Sequence, residues 1–545
     1  MILRQDSNDG KLNGRYYTPL PLAQAMVGKL SSFNPRTILE PSCGRGVFLP
    51  LAARQFPSAS ITAIDNDTKA MAHAKDVCQE YRQVTLEACD FFDFFRESKG
   101  RGEFDLIIGN PPYIRYQYLT EAQREKQAEI LTANGMRPNK LINAWVAFLV
   151  ACVNLLHNDG VIAFVIPAEF LQVAYAEELR RFLARVLDDI TIITFQELLF
   201  PDAQQETVIL YGRKGNGNGR IRIAQVRNVD EFAALDLALI PFQTLSEENG
   251  KWTRYLVPGT KSQLIASVQG DHRFMRFGDC CLINVGITTG NNKYFSITKA
   301  TEERFKLSDV TLPLIGRSSH IKGAFFTNQD WLDNVNAGKR AMLVAFPDTD
   351  YDGYPQGHKA YIALGERNGE NTGYKCRIRD RWYIIPSIWV PDAFFLRRNN
   401  LYPKLVMNCC GAVSTDTMHR IKFNKGVDGR DILLAYYNSI SFAFAETCGR
   451  SYGGGVLEIL PGEAGRIMIP DVSHVSRSLK DELLQHVDDA LRHDGDIERV
   501  LDETDERLLI GELGIPRIWC EDARSIWKAL RDRRLNRGGR TPQHR

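Results

Sequence analysis

The first third of the chain alternates short apolar runs with stretches whose apolar residues recur at helical spacing. The runs are rich in Val, Ile, Leu and Phe and predict buried strands at residues 37–42, 60–67, 83–90, 104–110 and 160–167. Between them, helix-spaced apolar positions occupy residues 48–56, 68–82 and 143–156. Strand and helix in turn form a mostly parallel sheet covered on both faces. The pattern therefore predicts a doubly wound α/β domain.

The pattern changes twice further along. Strands are also expected at residues 189–196, 206–213 and 221–226, before Ser, Glu, Asn and Gly cluster at residues 243–250. Many short β-like runs with few long helical periods follow, and beyond about residue 475 the pattern is helical and acidic. We expect an α/β domain at 1–245, a strand-rich mixed domain at 246–475, a helical segment at 476–530 and a basic disordered tail at 531–545.

Charge and cysteine content narrow the class of protein. The 545 residues include 68 Lys and Arg against 66 Asp and Glu, so no overall basic field indicates a nucleic-acid partner. Residues 247–470 alone carry 28 Lys and Arg against 22 Asp and Glu, so such a partner would be bound there. No apolar segment is long enough to span a membrane, and the scattered cysteines suit neither a zinc site nor a disulfide framework. We expect a soluble, cytoplasmic protein without a metal.

The ends of three predicted strands carry the residues of a nucleoside site. After the first strand comes a glycine-rich loop, Glu40-Pro41-Ser42-Cys43-Gly44-Arg45-Gly46, which lacks the spacing of a phosphate-binding loop. Asp65 ends the second strand and is suited to the two hydroxyls of a ribose. Asp90 ends the third strand beside two phenylalanines and suits an adenine ring with its amino group. The sequence predicts a ligand that contains a nucleoside without phosphates.

The fourth strand ends in the most specific signal of the chain, Ile107-Ile108-Gly109-Asn110-Pro111-Pro112-Tyr113. Two prolines end the strand abruptly, and the Asn110 amide oxygen and the Pro111 carbonyl are then available as hydrogen-bond acceptors. Two convergent acceptors bind an amino group whose lone pair is delocalised into a ring or a carbonyl. They favour pyramidal geometry at the nitrogen and so localise the lone pair. The turn therefore predicts methylation on nitrogen.

In this order, these motifs resemble the S-adenosylmethionine-dependent DNA methyltransferases of the gamma class, the TaqI type, which methylate adenine N6. Residues 14–19, Gly-Arg-Tyr-Tyr-Thr-Pro, are similar to the N-terminal cofactor motif of that class. The resemblance covers about the first 240 residues strongly. It continues weakly through residues 285–290, 314–317 and 451–456, which resemble landmarks of the target-recognition domain.

The resemblance implies a fold, a cofactor and a set of site residues. The fold is a seven-stranded methyltransferase sheet followed by a C-terminal target-recognition domain. The residues implied to bind S-adenosyl-L-methionine are Thr18, Glu40, Pro41, Ser42, Cys43, Gly44, Asp65, Asp90 and Pro112. The residues implied to act on a flipped adenine are Asn110 and Pro111, which grip the amino group, Tyr113, which stacks on the base, and Phe200 after the fifth strand, on the opposite face.

The middle of the chain is expected to bind duplex DNA. The candidate contacts are Arg317, Arg377, Arg379, Arg381, Arg397 and Arg398, which are interleaved with aromatic residues. The expected protein is a monomeric, sequence-specific adenine-N6 methyltransferase that flips its target base and serves a restriction-modification or defence system, with a cognate endonuclease as a candidate partner. The alternatives are a protein glutamine-N5 or RNA amino-methyltransferase, and a non-catalytic subunit for DNA specificity.

Overall fold

A computed structural model describes residues 17–98, 104–139, 142–200, 206–245, 251–256, 259–451 and 455–536. The chain divides into two compact units between Gly259 and Thr260. The described part of the first unit forms one nine-stranded sheet. Its strands are β1 (Thr37–Glu40), β2 (Ser60–Ile64), β3 (Val84–Glu87), β4 (Phe104–Gly109), β5 (Leu156–Pro167), β6 (Leu187–Phe195), β7 (Thr207–Lys214), β8 (Arg220–Val226) and β9 (Gln243–Thr244).

The strand order in the sheet is β3-β2-β1-β4-β5-β7-β6-β8-β9. Strands β1 to β5 pair in parallel, whereas β7 lies antiparallel between β5 and β6. The prediction of a doubly wound, mostly parallel sheet is confirmed. The sheet exceeds the seven strands expected because β8 pairs in parallel with β6 and the short β9 pairs antiparallel with β8.

Helices cover both faces of this sheet. Those of the described first unit are α1 (Leu20–Gly28), α2 (Leu49–Gln55), α3 (Thr68–Val77), α4 (Phe91–Ser98), α5 (Glu121–Ala133), α6 (Ala144–Leu155), α7 (Glu177–Val186) and α8 (Val229–Ala234). Helices α1 to α3 and α8 contribute to one apolar core, and α4 to α7 contribute to the other. Helix α6 is apolar on all sides, and it lies buried within its core accordingly.

The second unit is built from several small sheets. Its strands are β10 (Phe274–Arg276), β11 (Cys281–Val285), β12 (Ser296–Ile297), β13 (Thr311–Ile315), β14 (Phe325–Phe326), β15 (Met342–Val344), β16 (Ala393–Leu396), β17 (Arg398–Asn399), β18 (Leu405–Asn408), β19 (Val413–Ser414), β20 (Met418–Phe423), β21 (Arg450–Ser451), β22 (Leu457–Glu458) and β23 (Met468–Pro470). The largest of these sheets has the order β11-β20-β16-β18-β14. The expectation of short strands in this region is confirmed.

This unit contains more helix than the sequence pattern indicated. Its helices are α9 (Gly259–Gly270), α10 (Phe277–Cys280), α11 (Asn292–Phe295), α12 (Lys299–Phe305), α13 (Asn328–Asn336), α14 (Gln356–Arg367), α15 (Tyr374–Arg377), α16 (Gly429–Tyr436), α17 (Ser439–Cys448), α18 (Pro461–Ala464), α19 (Arg477–Asp489), α20 (Ile497–Thr504) and α21 (Arg517–Asn536). Helix α17 was missed because it is buried nearly all round and shows no period. Helix α14 was missed because Gly357 and Gly365 resemble loop signals.

The prediction of a disordered basic tail from residue 531 is wrong for residues 531–536, which are helical. Helix α21 continues to Asn536, and Arg534 is only 1% exposed. Its guanidinium forms an ion pair with buried Glu446, with Nη2 and Oε1 2.8 Å apart, and donates to the Gly455 carbonyl at 2.6 Å. A buried ion pair anchors this turn. The rest of the predicted tail, residues 537–545, lies outside the described residues.

Membrane-spanning helices, metal clusters and disulfides are absent from the described residues. No helix there is long and apolar enough to cross a membrane. No group of His, Cys, Asp and Glu in the same residues is arranged to hold a metal ion. The eleven cysteines, all of which fall in the described ranges, are free thiols.

Candidate active site

A cavity of about 780 Å³ lies at the carboxyl ends of strands β1 to β4 in the first unit. Ligands of open α/β sheets bind at this edge. All nine residues predicted to bind the cofactor line it: Thr18, Glu40, Pro41, Ser42, Cys43, Gly44, Asp65, Asp90 and Pro112. Asn110 and Pro111 line it as well, whereas Tyr113 and Phe200 do not. The fold therefore brings the predicted motifs together around one pocket.

The loop after β1 depends on glycine. Gly44 and Gly46 have φ angles of +53° and +80°, in the left-handed region where side chains are disfavoured. A Cβ atom on Gly46 would also lie 3.2 Å from the Cα of Ala74 in helix α3. The Gly44 amide donates to the Asp65 carboxylate at 2.8 Å. These constraints bring the loop backbone close to α3 and keep it facing the cavity.

Glu40, at the end of β1, is the most unusual charge in the pocket. It is 2% exposed, and its Oε2 has no hydrogen-bond partner among the described residues. Burial, and secondarily the nearby carboxylate of Asp65, raise the pKa of Glu40 well above its usual value. A buried carboxylate without a partner favours a cationic ligand. S-adenosylmethionine carries a sulfonium and an α-ammonium group, so the residues fit this cofactor.

Asp65 has a different immediate role from the one expected. Its Oδ2 accepts the Gly44 amide and its Oδ1 accepts the Asp67 amide, both at 2.8 Å. The carboxylate therefore joins the glycine loop to the start of α3. Each oxygen retains a second acceptor site, so binding of a ribose remains a prediction. Asp67, which the sequence reasoning missed, also lines the cavity. Its carboxylate accepts the Lys69 and Ala70 amides and so caps the start of α3.

Asp90 lies at the end of the cavity lined by aromatic side chains. Its Oδ1 accepts the Phe92 amide at 3.0 Å. Phe91, Phe92 and Phe148 line the same region, and the Phe91 and Phe148 rings stack with centroids 4.5 Å apart. This arrangement suits a planar heterocycle that carries an amino group. Sequence reasoning missed Phe148 because it lies within the uniformly apolar helix α6.

The Asn110 turn is tied to two other parts of the site. The Asn110 side chain donates from Nδ2 to the Thr18 hydroxyl at 3.3 Å. The Ser42 hydroxyl donates to the Asn110 carbonyl at 3.2 Å. With Nδ2 as the donor to Thr18, Oδ1 is the acceptor end of the amide. The N-terminal segment and the glycine loop together orient the turn.

Cys43 lines the cavity but has no nucleophilic role. Burial, followed by the nearby Glu40 and Asp65 carboxylates, raises the pKa of its thiol. The thiol remains protonated at neutral pH, and only thiolates are effective nucleophiles. The pocket therefore provides hydrogen-bond acceptors, charge and ring surfaces instead of a cysteine nucleophile.

Tyr113 and Phe200 are buried and do not line the pocket. Tyr113 is 7% exposed and donates its hydroxyl to the Val165 carbonyl in β5 at 3.1 Å. Phe200 is also 7% exposed and belongs to the core on the opposite face of the sheet from that of Tyr113. It follows β6, not the fifth strand as expected, because β6 extends from Leu187 to Phe195. That position is corrected, and both stacking roles remain predictions.

Half of the predicted DNA-binding arginines form hydrogen bonds or ion pairs within their own unit, and their DNA contacts stay predictions. The Arg379 guanidinium donates to the Thr289 and Thr288 carbonyls at 2.8 and 2.9 Å. Arg381 is paired with Asp348 and Asp350, at 2.8 and 3.0 Å. Arg397 is paired with Glu458, itself 5% exposed, at 2.9 Å. These guanidinium groups hold neighbouring segments together.

Three of the predicted arginines remain exposed: Arg317, Arg377 and Arg398. Arg398 lies 3.4 Å from the Glu458 carboxylate, whereas no ion pair is found at Arg317 or Arg377 among the described residues. In two predicted motifs, residues 14–16 and 452–454 lie outside the described residues. Of the first motif, Tyr17 lines the cavity beneath the Arg45 guanidinium, 4.6 Å from its ring centroid.

Comparison with known proteins gives matches in both units. Residues 52–200 match the Eco57I restriction-modification methylase family, and residues 249–509 match the C-terminal domain of the type II methyltransferase M.Eco57I. M.AccI, a type II methyltransferase of Acinetobacter calcoaceticus, is 25% identical over 488 residues, which cover 86% of this chain and 87% of M.AccI. M.XamI of Xanthomonas campestris pv. amaranthicola is 23% identical over 493 residues, which cover 85% of this chain and 86% of M.XamI.

Among solved structures, the type IIL restriction-modification enzyme MmeI in complex with DNA aligns with a TM-score of 0.52. The alignment covers 99% of this chain and 74% of the MmeI chain at 10% identity, so it bears on the fold alone. The sequence matches with M.AccI and M.XamI each cover more than four fifths of this chain. They confirm the resemblance to the gamma class and S-adenosylmethionine as the cofactor.

Proposed function

We propose that this chain, a DNA methyltransferase of the restriction-modification type, transfers a methyl group from S-adenosylmethionine to N6 of adenine in duplex DNA. The observation that carries the proposal is the position of the Asn110–Pro111 turn. It lines the same cavity as the nine predicted cofactor residues and is oriented by Thr18 and Ser42. An amino group bound at this turn would lie beside the cofactor.

The cofactor, when bound, supplies an electrophilic methyl group on a positively charged sulfonium. The chain's residues hold it: Glu40 offers an anionic oxygen to the cationic part, and Asp90 offers an acceptor to the adenine amino group. The Phe92 and Phe148 rings line the pocket and provide apolar surface for the adenine. No metal and no covalent enzyme intermediate is required, because the nitrogen would attack the methyl group directly. S-adenosylhomocysteine would leave as the methyl–sulfur bond breaks, and the methylated nitrogen would lose one of its two original protons to solvent.

The Asn110 turn prepares the nucleophile. An exocyclic amine of a base is planar and a weak nucleophile, since its lone pair is delocalised into the ring. Asn110 Oδ1 and the Pro111 carbonyl each accept one of its two hydrogens, which favours a pyramidal nitrogen and localises the lone pair. Acceptors held in place before the reaction stabilise the charge that develops as the bond to carbon forms.

The target base must leave the helix to reach this turn. In a base pair the amino group lies within the stack, so the enzyme extrudes the nucleotide at a cost of a few kcal/mol. Stacking on an aromatic ring returns about 1–3 kcal/mol. Tyr113, the residue next to the proline pair, provides that ring in our proposal. Its present burial means that one face must be uncovered when DNA binds.

Duplex DNA is bound by the second unit in this proposal. Residues 247–470 carry the excess of basic residues, and the exposed arginines Arg317, Arg377 and Arg398 are the candidates for phosphate or guanine contacts. The chain would act as a monomer in the cytoplasm and protect sites that a cognate endonuclease cuts.

Product analysis tests this function. The purified chain is incubated with methyl-labelled S-adenosylmethionine and duplex DNA, RNA or a release-factor-like protein, and the labelled product is digested and identified. We expect label in DNA as N6-methyladenine. Label in cytosine, RNA or glutamine would overturn the proposal, and so would a folded, cofactor-binding protein that labels nothing on DNA of varied sequence.

A further inference from the structure

Helix α5 forms a wall of the cofactor cavity that no sequence motif predicted. It follows the Asn110 turn, and its residues Gln123 and Gln127 line the cavity. Gln127 is 6% exposed and shares the buried face of the helix with Ile130 and Leu131. This places a primary amide on a face that is otherwise apolar, directly against the pocket.

The Gln127 amide has no hydrogen-bond partner among the described residues. An amide at a mostly buried position is usually satisfied by protein, water or a ligand, and at Gln127 the open side is the cavity. Gln123, one turn earlier, differs: its Oε1 accepts the Thr120 amide at 3.0 Å in the capping box that begins the helix. Gln127 therefore retains a donor and an acceptor that face the pocket.

The neighbours of Gln127 indicate which part of a ligand it meets. The preceding residue, Lys126, lies 2.7 Å from Asp93 and 3.6 Å from Asp90 through its ammonium group. These contacts hold α5 against the segment that follows β3. Gln127, the next residue in the helix, lines the same cavity as Asp90, Phe92 and Phe148.

The chemistry of this corner suits adenine. A glutamine amide can accept the N6 hydrogen of adenine and donate to an adjacent ring nitrogen in one planar, bidentate pair. We infer that Gln127 is a further cofactor-binding residue, which pairs with a ring edge of the adenine of S-adenosylmethionine. The inference deepens the cofactor site of the proposed function and does not depend on which DNA base is methylated.

Measurements of ligand binding in the absence of DNA test this role of Gln127. Affinities for S-adenosylhomocysteine and for its 1-deaza and 7-deaza adenine analogues are measured by calorimetry on wild type, Gln127→Met and Glu125→Gln. Methionine keeps the length of the side chain but cannot form the pair, and Glu125 lies on the exposed face of the same helix. Thermal unfolding without ligand confirms that the variants fold.

We expect Q127M to bind S-adenosylhomocysteine about 10- to 100-fold more weakly, and E125Q to bind like wild type. One of the deaza analogues should bind wild type about tenfold more weakly than the natural ligand, and that difference should disappear in Q127M. Unchanged affinity of Q127M, or an equal loss for the natural ligand and both analogues, would overturn the inference. A failure of the proposed function would instead appear as a product other than N6-methyladenine, with this coupling intact.

Discussion

Individual side chains in the pocket have environments that only the folded chain creates. Glu40 ends a buried strand, and the sequence gives no sign that its carboxylate lacks a partner. A buried carboxylate without a partner lowers the free energy of unfolding of the ligand-free protein, and a bound cation raises it again. The pH dependence of stability and binding should reveal it.

Replacement of Glu40 by glutamine should change both quantities. Because the folded pKa of Glu40 is raised, the ligand-free protein loses stability as pH rises above the unfolded value of about 4.3. The E40Q variant should therefore be more stable than wild type at pH 7. This gain should shrink as pH falls toward 4, because Glu40 is then increasingly protonated in the unfolded state as well. Thermal unfolding between pH 4 and 8 measures it, with Glu80→Gln on the exposed surface as the control.

Replacement of Glu40 should weaken cofactor binding, although it stabilises the ligand-free protein. A cation binds the ionised form of Glu40, so wild-type affinity for S-adenosylmethionine should increase as pH rises through the raised pKa. E40Q should bind about tenfold more weakly at pH 8 and show a flatter pH profile. Calorimetry between pH 6 and 8.5 checks this. Equal pH profiles for the two proteins would exclude Glu40 as the partner of the cation.

At the level of elements, the strands and the glycine loop were predictable and several helices were not. Strands β1 to β5 are short, apolar and bounded by loops, so their local pattern is sufficient. Helix α17 is buried nearly all round and carries no period, and β9 has only two residues. These elements depend on contacts with distant parts of the chain, which local sequence does not contain.

The glycine loop gives a test with a matched control. Gly46→Ala should destabilise the first unit by about 1–2 kcal/mol, because φ is +80° and the new Cβ meets the backbone of Ala74. Gly28→Ala, at the end of α1 with nothing within 4 Å, should be neutral or slightly stabilising. Urea unfolding and cofactor binding measure both variants. Equal stability of the two variants would contradict the strain that we assign to Gly46.

Helix α21 gives a second test at this scale. Arg534→Met leaves the buried Glu446 carboxylate unpaired and should destabilise the second unit by about 3–5 kcal/mol. The double variant with Glu446→Gln should recover much of the loss, since it removes the buried charge. Arg517→Met, in an exposed pair with Glu506, should change little. An R534M protein as stable as wild type would contradict the anchoring of this helix.

Over the whole molecule, sequence order identified the site better than it identified the DNA contacts. The motif residues lie at the ends of adjacent parallel strands, so topology alone brings them together. The arginines lie in a region of many short elements. The tertiary fold determines whether each arginine faces solvent or donates to backbone carbonyls, as Arg379 does. The position of Gln127 in the cavity wall could not be predicted either, because it also depends on the tertiary fold.

DNA binding should separate exposed arginines from those used internally. Arg317→Ala and Arg377→Ala should each reduce the slope of log affinity against log salt by about 1, if they contact phosphates. Arg381→Ala should leave the slope unchanged, because Asp348 and Asp350 already hold this side chain. Fluorescence anisotropy over a range of sodium chloride concentrations measures the slopes. A reduced slope for Arg381→Ala alone would reverse the assignment.

The central claim is that the acceptors of the Asn110 turn activate an exocyclic amine. Single-turnover methyl transfer by Asn110→Ala, measured together with calorimetric binding of S-adenosylmethionine, tests it most directly. We predict a rate lower by about 100-fold or more with cofactor affinity within about threefold of wild type. A variant that transfers methyl groups at the wild-type rate would contradict the account.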